Sequence, residues 1–236
     1  MGHISDNLYH IHAELAEAAS KASRDPAAVT LLCVSKTKPE SDIIEAYQAG
    51  ERSFGESYVN EAVPKIQSLK KQGYTDIHWH FIGPLQSNKT RPVAENFDCV
   101  ESVDRLKVLQ RLNDQRPEHL PPLEILIEVN ISHDEQKSGC NIEELPLLIE
   151  AARNSPRLIL RGLMGIATDT QDKNLIHSEF ETLRALFEKY RHLPSFNILS
   201  MGMTHDMDEA IACGSTEIRI GTAIFGPRNY PNRRQS

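Results

Sequence analysis

No apolar run in this chain approaches the roughly 18 residues of a membrane-spanning helix, and the start Met1-Gly2-His3-Ile4-Ser5-Asp6 lacks the features of a signal peptide. A Met-Gly-x-x-x-Ser/Thr myristoylation frame fails at Asp6. These absences lead us to expect a cytoplasmic protein with no membrane partner. Cysteine is sparse: Cys33, Cys99, Cys140 and Cys213 stand singly, which fits neither a disulfide scaffold nor paired zinc ligands, and they read as reduced thiols. Positive charge is in deficit, with 26 Lys+Arg against 33 Asp+Glu and a formal net charge of −7. The surface as a whole therefore lacks the field of a nucleic-acid binder, although local basic pockets stay open. No linker-like stretch divides the chain, so residues 1–236 read as one domain. With 39% hydrophobic residues that domain can bury a sizeable core.

What is present is a repeated grammar of short apolar runs followed by helical stripes. Leu8, Ile11 and Leu15 line one face of an opening helix that no strand precedes, and that ends before Arg24-Asp25-Pro26. Strand-like runs are then expected at 29–34, near Ser53-Phe54, at 77–82, 99–103, 123–131, 158–164, 197–200 and 217–220, with a helix after each of the first seven. Pro64 is expected to delay or kink the second of those helices. Eight strands alternating with helices argue for a single (β/α)8 TIM barrel with an extra N-terminal helix. An open doubly wound sheet is the alternative, because strand count does not prove closure.

In a barrel the loops after the strands build the site. The first strand exits as Val34-Ser35-Lys36-Thr37-Lys38-Pro39, and Lys36 shares its alternation face with Leu32 and Val34. An amine at the mouth of an apolar interior is a Schiff-base nucleophile; a lysine that snorkels to the rim is the plain alternative. Lys38 is expected to stay hydrated in the loop beside Pro39. In Glu217-Ile218-Arg219-Ile220-Gly221-Thr222 the isoleucines belong outside under the helices, so Arg219 points inward. Its acceptor is either a ligand or Glu128. Gly221-Thr222 and Ser200-Met201-Gly202-Met203-Thr204 are small-residue turns of the kind that hold a phosphate, with Ser200, Thr204 and Thr222 able to add hydroxyls. Asp206 and Asp208 count against an anion at the second turn. His78 and His80 share a strand face; a satisfied core histidine is commoner than a metal ligand there, no metal is expected, and His80 is the better pocket candidate. Lys89-Thr90-Arg91, Arg228 and Arg233-Arg234 read as solvated basic groups.

The segments Ser35-Lys36-Thr37-Lys38-Pro39, Phe54-Gly55-Glu56-Ser57-Tyr58-Val59, Trp79-His80-Phe81-Ile82-Gly83-Pro84-Leu85-Gln86-Ser87-Asn88-Lys89, Arg161-Gly162-Leu163-Met164, Leu199-Ser200-Met201-Gly202-Met203 and Arg219-Ile220-Gly221-Thr222-Ala223-Ile224-Phe225-Gly226 resemble the YggS/PROSC pyridoxal-phosphate homeostasis proteins, essentially end to end. The resemblance implies a fold-type III barrel similar to the N-terminal domain of alanine racemase, with pyridoxal 5′-phosphate (PLP) as a Schiff base on Lys36. It further implies that Arg219 faces the pyridine nitrogen, that Ser200, Gly221 and Thr222 cradle the phosphate, and that Thr204, Met203, Ser57 and His80 complete the cofactor-binding set. An arginine opposite the ring nitrogen makes the cofactor a poor electron sink. Three positions depart from the family pattern: Ser57 replaces an Asn, and Thr204-His205 replaces Ser-Asp.

The function so implied is a non-catalytic carrier that buffers PLP or delivers it to PLP-dependent apo-enzymes, affecting amino-acid and keto-acid balance, and acting as a monomer. The rival is an amino-acid racemase with Lys36 as one base. It needs a second base across the ring, which alanine racemase takes from a partner's C-terminal domain and for which this chain leaves no length; His80 or Tyr58 would have to substitute. A PLP-free adaptor barrel is the third reading.

Overall fold

The computed structural model describes residues 3–132, 134 and 137–227. Helix α1 (His3–Lys21) is followed by β1 (Thr30–Val34), α2 (Glu40–Gln48), β2 (Ser53–Glu56), α3 (Val59–Lys71), β3 (His78–Phe81), α4 (Thr90–Asn96), β4 (Cys99–Val103) and α5 (Leu106–Gln115). The chain continues through β5 (Leu123–Glu128), α6 (Leu145–Arg153), β6 (Leu158–Met164), α7 (Lys173–Tyr190), β7 (Ile198–Ser200), α8 (Met207–Ala212), β8 (Glu217–Ile220) and α9 (Thr222–Phe225). The strands pair in sequence order, all parallel, and β1 closes on β8 with Leu32 opposite Arg219. The sheet is thus a closed barrel, and the open alternative is excluded.

Alternation sorts the side chains into two layers. Residues such as Leu31, Cys33, Phe54, Trp79, Phe81, Val100, Ile125, Ile127, Ile218 and Ile220 point outward and pack with the helices in one continuous apolar core. The inner face is different. Cys99, Leu126 and Met164 form a small apolar cluster, and the buried polar residues His80, Glu101, Glu128, Ser200, Glu217 and Arg219 occupy strand positions of the same inward parity. An interior this polar must be internally hydrogen-bonded. α1 lies outside the barrel, its Ile4, Leu8, Ile11 and Leu15 buried, and the four cysteines are free and buried.

Two expectations need adjustment. α3 does not start late: it begins at Val59, where the Tyr58 carbonyl accepts from the Glu61 and Ala62 amides, and it carries the exposed Pro64 in its interior. The bond lost to the proline ring is one to the carbonyl of exposed Asn60, which water can satisfy. β5 ends at Glu128 rather than 131, because Val129 leaves it for a bridge to Cys140.

Close approach between β6 and β7 depends on Gly162, at φ +156°, where an added Cβ would stand 1.7 Å from the Ile198 carbonyl oxygen. Gly162→Ala is therefore expected to lower unfolding free energy by about 3 kcal/mol or more. Gly73→Ala, at φ +99° but in open space, should cost only about 1 kcal/mol. Urea midpoints that fall equally in the two variants would contradict this account of the β6–β7 contact.

Candidate functional site

At the C-terminal end of the barrel a cavity of about 500 Å³ opens between the loops after β1, β6, β7 and β8. Lys36, Met203, Thr204, Arg219, Gly221 and Thr222 all stand on its wall, with Val34, Ile82, Met164 and Ile166 as apolar surface. Arg219 is buried, while Met203, Thr204 and Thr222 are exposed at the rim. The Met203 amide donates to Asp206 Oδ1 at 2.5 Å, so that donor of the turn after β7 is already used. A Cβ on Gly221 would press on the Val34 carbonyl at 3.2 Å, so the glycine lets β8 and β1 approach at the mouth.

Three expected members of the set lie elsewhere. Ser57 lines a neighbouring cavity of about 370 Å³, with Tyr58, Pro84 and Lys89. His80 and Ser200 sit below the mouth, buried in the barrel interior, and are absent from the cavity wall. One expectation is corrected: Lys38, which shares the cavity wall with Lys36, is buried, not hydrated, and its Nζ donates to the Pro227 carbonyl at 2.7 Å. Of the basic groups, Arg91 is exposed and Lys89 half-buried; Arg228, Arg233 and Arg234 lie outside the described residues.

The interior below Arg219 is one hydrogen-bonded chain. Arg219 Nη1 donates to Ser200 Oγ at 2.7 Å and Nη2 donates to the Gly165 carbonyl at 3.1 Å. Ser200 Oγ donates in turn to Glu101 Oε2 at 2.7 Å, and Glu101 Oε1 lies 2.6 Å from His80 Nδ1. His80 Nε2 lies 2.8 Å from His78 Nδ1, and His78 is half-exposed toward Glu124 at the opposite end of the barrel. Burial alone would lower the His80 pKa, but the facing Cys99, Glu101 and Glu217 outweigh it and hold it well above its ordinary value. A cationic His80 donates from both nitrogens, to Glu101 and to a His78 that burial and the His80 charge keep neutral. Glu101 is raised by burial but held low by the hydrogen bond from His80 and by the His80 and Arg219 charges. Glu217, fully enclosed against it, is pushed up to about 8 by burial and by the Glu101 charge. Glu128 does not pair with Arg219; burial and Asp104 push it to about 7, against the pull of the Arg219 charge.

The sequence reading placed Arg219 inward but missed Glu101 and Glu217. The inward parity of β8 was the available signal for Glu217, since it shares a face with Arg219. The reading also missed a second network, in which Lys65 joins Glu56 and Glu61 beneath the Lys36 turn.

The family model of the alanine racemase N-terminal domain matches residues 7–229. The pyridoxal phosphate homeostasis protein of Escherichia coli (strain K12) is 48% identical over 237 residues, covering 99% of this chain and 100% of that one. Its namesake in Haemophilus influenzae is 51% identical over 230 residues, covering 96% and 97%. Among solved structures, PipY of Synechococcus elongatus PCC7942 with PLP bound is 35% identical and superposes with a TM-score of 0.77, covering 90% of this chain and 100% of that chain.

The interior carboxyls set a pH dependence. Glu217 titrates near 8 in the folded chain against an ordinary 4.5, so the folded chain keeps a proton that the unfolded chain loses across that window. Stability therefore falls as pH rises from 4.5 to 8, and Glu128 and His80 add to the same slope. Glu217→Gln keeps a neutral hydrogen-bonding group and removes its share of the slope. The melting temperature of the variant minus that of wild type is expected to rise by about 4 °C or more between pH 4.5 and 8.5. A gap that stays constant across this range would contradict a proton held on Glu217.

Proposed function

Because the chain belongs to the alanine racemase N-terminal domain family, and within it to the pyridoxal phosphate homeostasis proteins, we propose that it binds PLP at the barrel mouth and acts as a carrier of it. The observation that carries this reading is the single cavity holding Lys36, Arg219 and the Gly221-Thr222 turn around an apolar wall. That donor set fits the group. An amine suits an aldehyde, a guanidinium suits a ring nitrogen, and backbone amides and hydroxyls suit a phosphate. When bound, PLP supplies an aldehyde that condenses with amines and a pyridine ring that can accept electrons.

Lys36 would hold the cofactor through its aldehyde. Arg219 carries only N–H donors, so it would hold the ring nitrogen by donating to its lone pair while offering that nitrogen no proton. The Gly221-Thr222 backbone and the Thr222 and Thr204 hydroxyls would take the phosphate. Ile82, Met164 and Ile166 would give the ring apolar surroundings. His80 and Ser200, set back from the wall, fix Arg219 instead of touching the cofactor.

A carrier is favoured over a racemase because neither His80 nor Tyr58 lines the cavity to serve as a base across from Lys36. The histidine on the wall, His205, neighbours Thr204, which this reading gives to the phosphate. In this reading the chain works as a monomeric barrel over residues 1–236, in the cytoplasm, and hands PLP through the exposed rim to PLP-dependent apo-enzymes.

Lys36→Ala is expected to abolish the shifted PLP absorbance that borohydride eliminates, while Lys38→Ala retains it, because the Lys38 ammonium is held by Pro227. Thermal unfolding of Lys36→Ala should stay cooperative. Retention of that band in Lys36→Ala together with its loss in Lys38→Ala would overturn the assignment.

A further inference from the structure

We propose that Lys65 is the positioning residue for Lys36, acting through both of its chain neighbours; this rests on the reading that Lys36 is the amine that bonds PLP. Lys65 projects from α3 into a buried space below the β1 exit and is itself buried. Its Nζ donates to Glu56 Oε1 at 2.8 Å, to Glu61 Oε1 at 2.8 Å and to the Ser35 carbonyl at 3.3 Å, which uses all three of its N–H groups.

Each carboxylate then grips one side of Lys36. Glu56, fully buried at the end of β2, accepts from Ser35 Oγ at 2.7 Å. Glu61 accepts from the Thr37 backbone amide at 2.7 Å. Thr37 is held at φ +65°, a left-handed conformation that a β-branched residue adopts only under outside constraint. The turn is closed by the Lys38 amide on the Ser35 carbonyl, the same oxygen that Lys65 contacts. The residues before and after Lys36 are therefore both tied to one ammonium, directly or through one carboxylate.

Chemistry explains why such a clamp is placed there. An amine that bonds an aldehyde must approach its carbon along a narrow path, and misplacement by about 1 Å costs on the order of 100-fold in rate. Without Lys65, two carboxylates would face each other beneath the turn, Glu56 fully enclosed, and the Glu61 that holds Thr37 would lose the cation that positions it. Ring and phosphate contacts, set by Arg219 and the Gly221-Thr222 turn on β8, do not pass through this network.

The test separates covalent capture from recognition. PLP adduct formation is followed by borohydride trapping, and affinity is measured separately with pyridoxine 5′-phosphate, which has the ring and phosphate but an alcohol in place of the aldehyde. Glu61→Ala removes the hold on Thr37 at a partly exposed position, and the double variant Lys65→Met with Glu56→Gln removes the buried charges together. Both are expected to slow trapping by about tenfold or more while changing the pyridoxine 5′-phosphate affinity by less than about threefold. Trapping at the wild-type rate in Glu61→Ala would overturn the proposal, as would an equal loss of trapping and affinity, which would mark a purely structural network. A wild-type chain that forms no adduct on Lys36 would instead overturn the PLP-bonding reading, and the proposal with it.

Discussion

A guanidinium inside a barrel must find acceptors within the barrel, and that constraint shapes everything below the mouth. Arg219 is buried, and it can sit there because Ser200 and the Gly165 carbonyl take its donors and, one step further, the Glu101 carboxylate balances its charge. Half of such a network would be worse than none, since each unsatisfied member carries the full cost of desolvation. The interior therefore extends as a connected run to His78 at the far end. Its like charges are relieved by the proton that burial keeps on Glu217.

The mouth has a second support of the opposite kind. Arg219 is carried on a strand, whose pairing with β1 fixes it, whereas Lys36 is carried on a turn with a left-handed residue beside it. A turn needs outside bonds to hold one shape, and the Lys65, Glu56 and Glu61 network supplies them. The cavity is thus bounded by one group fixed from below through the barrel and one fixed from the side through α3. Covalent and ring recognition are held by separate parts of the fold.

Much of this was legible in the chain. The period-two alternation of Glu217, Arg219 and Gly221 against Ile218 and Ile220 placed Arg219 inward, and the same parity carried Lys36 to the mouth. The barrel followed from eight apolar runs with helical stripes between them. What stayed hidden was pairing across distance. Lys65 and Glu61 stand i,i+4 on a helix, a spacing that by itself marks no buried site, and nothing local marks Glu56 as their buried third member. Ser200 fits a phosphate turn by residue type, yet its hydroxyl is used by Glu101 and Arg219, from β4 and β8. Lys38 reads as a solvated loop lysine, but a carbonyl 189 residues further along buries its ammonium.

The central claim is that one amine, at the exit of β1, is the point of attachment for PLP. The most direct measurement is peptide mapping by mass spectrometry of the wild-type protein after incubation with PLP and reduction with borohydride. The account predicts one stoichiometric pyridoxyl-phosphate adduct, on the peptide bearing Lys36, at the residue between Ser35 and Thr37. A stoichiometric adduct on Lys38, or on a lysine outside the cavity with Lys36 unmodified, would contradict it.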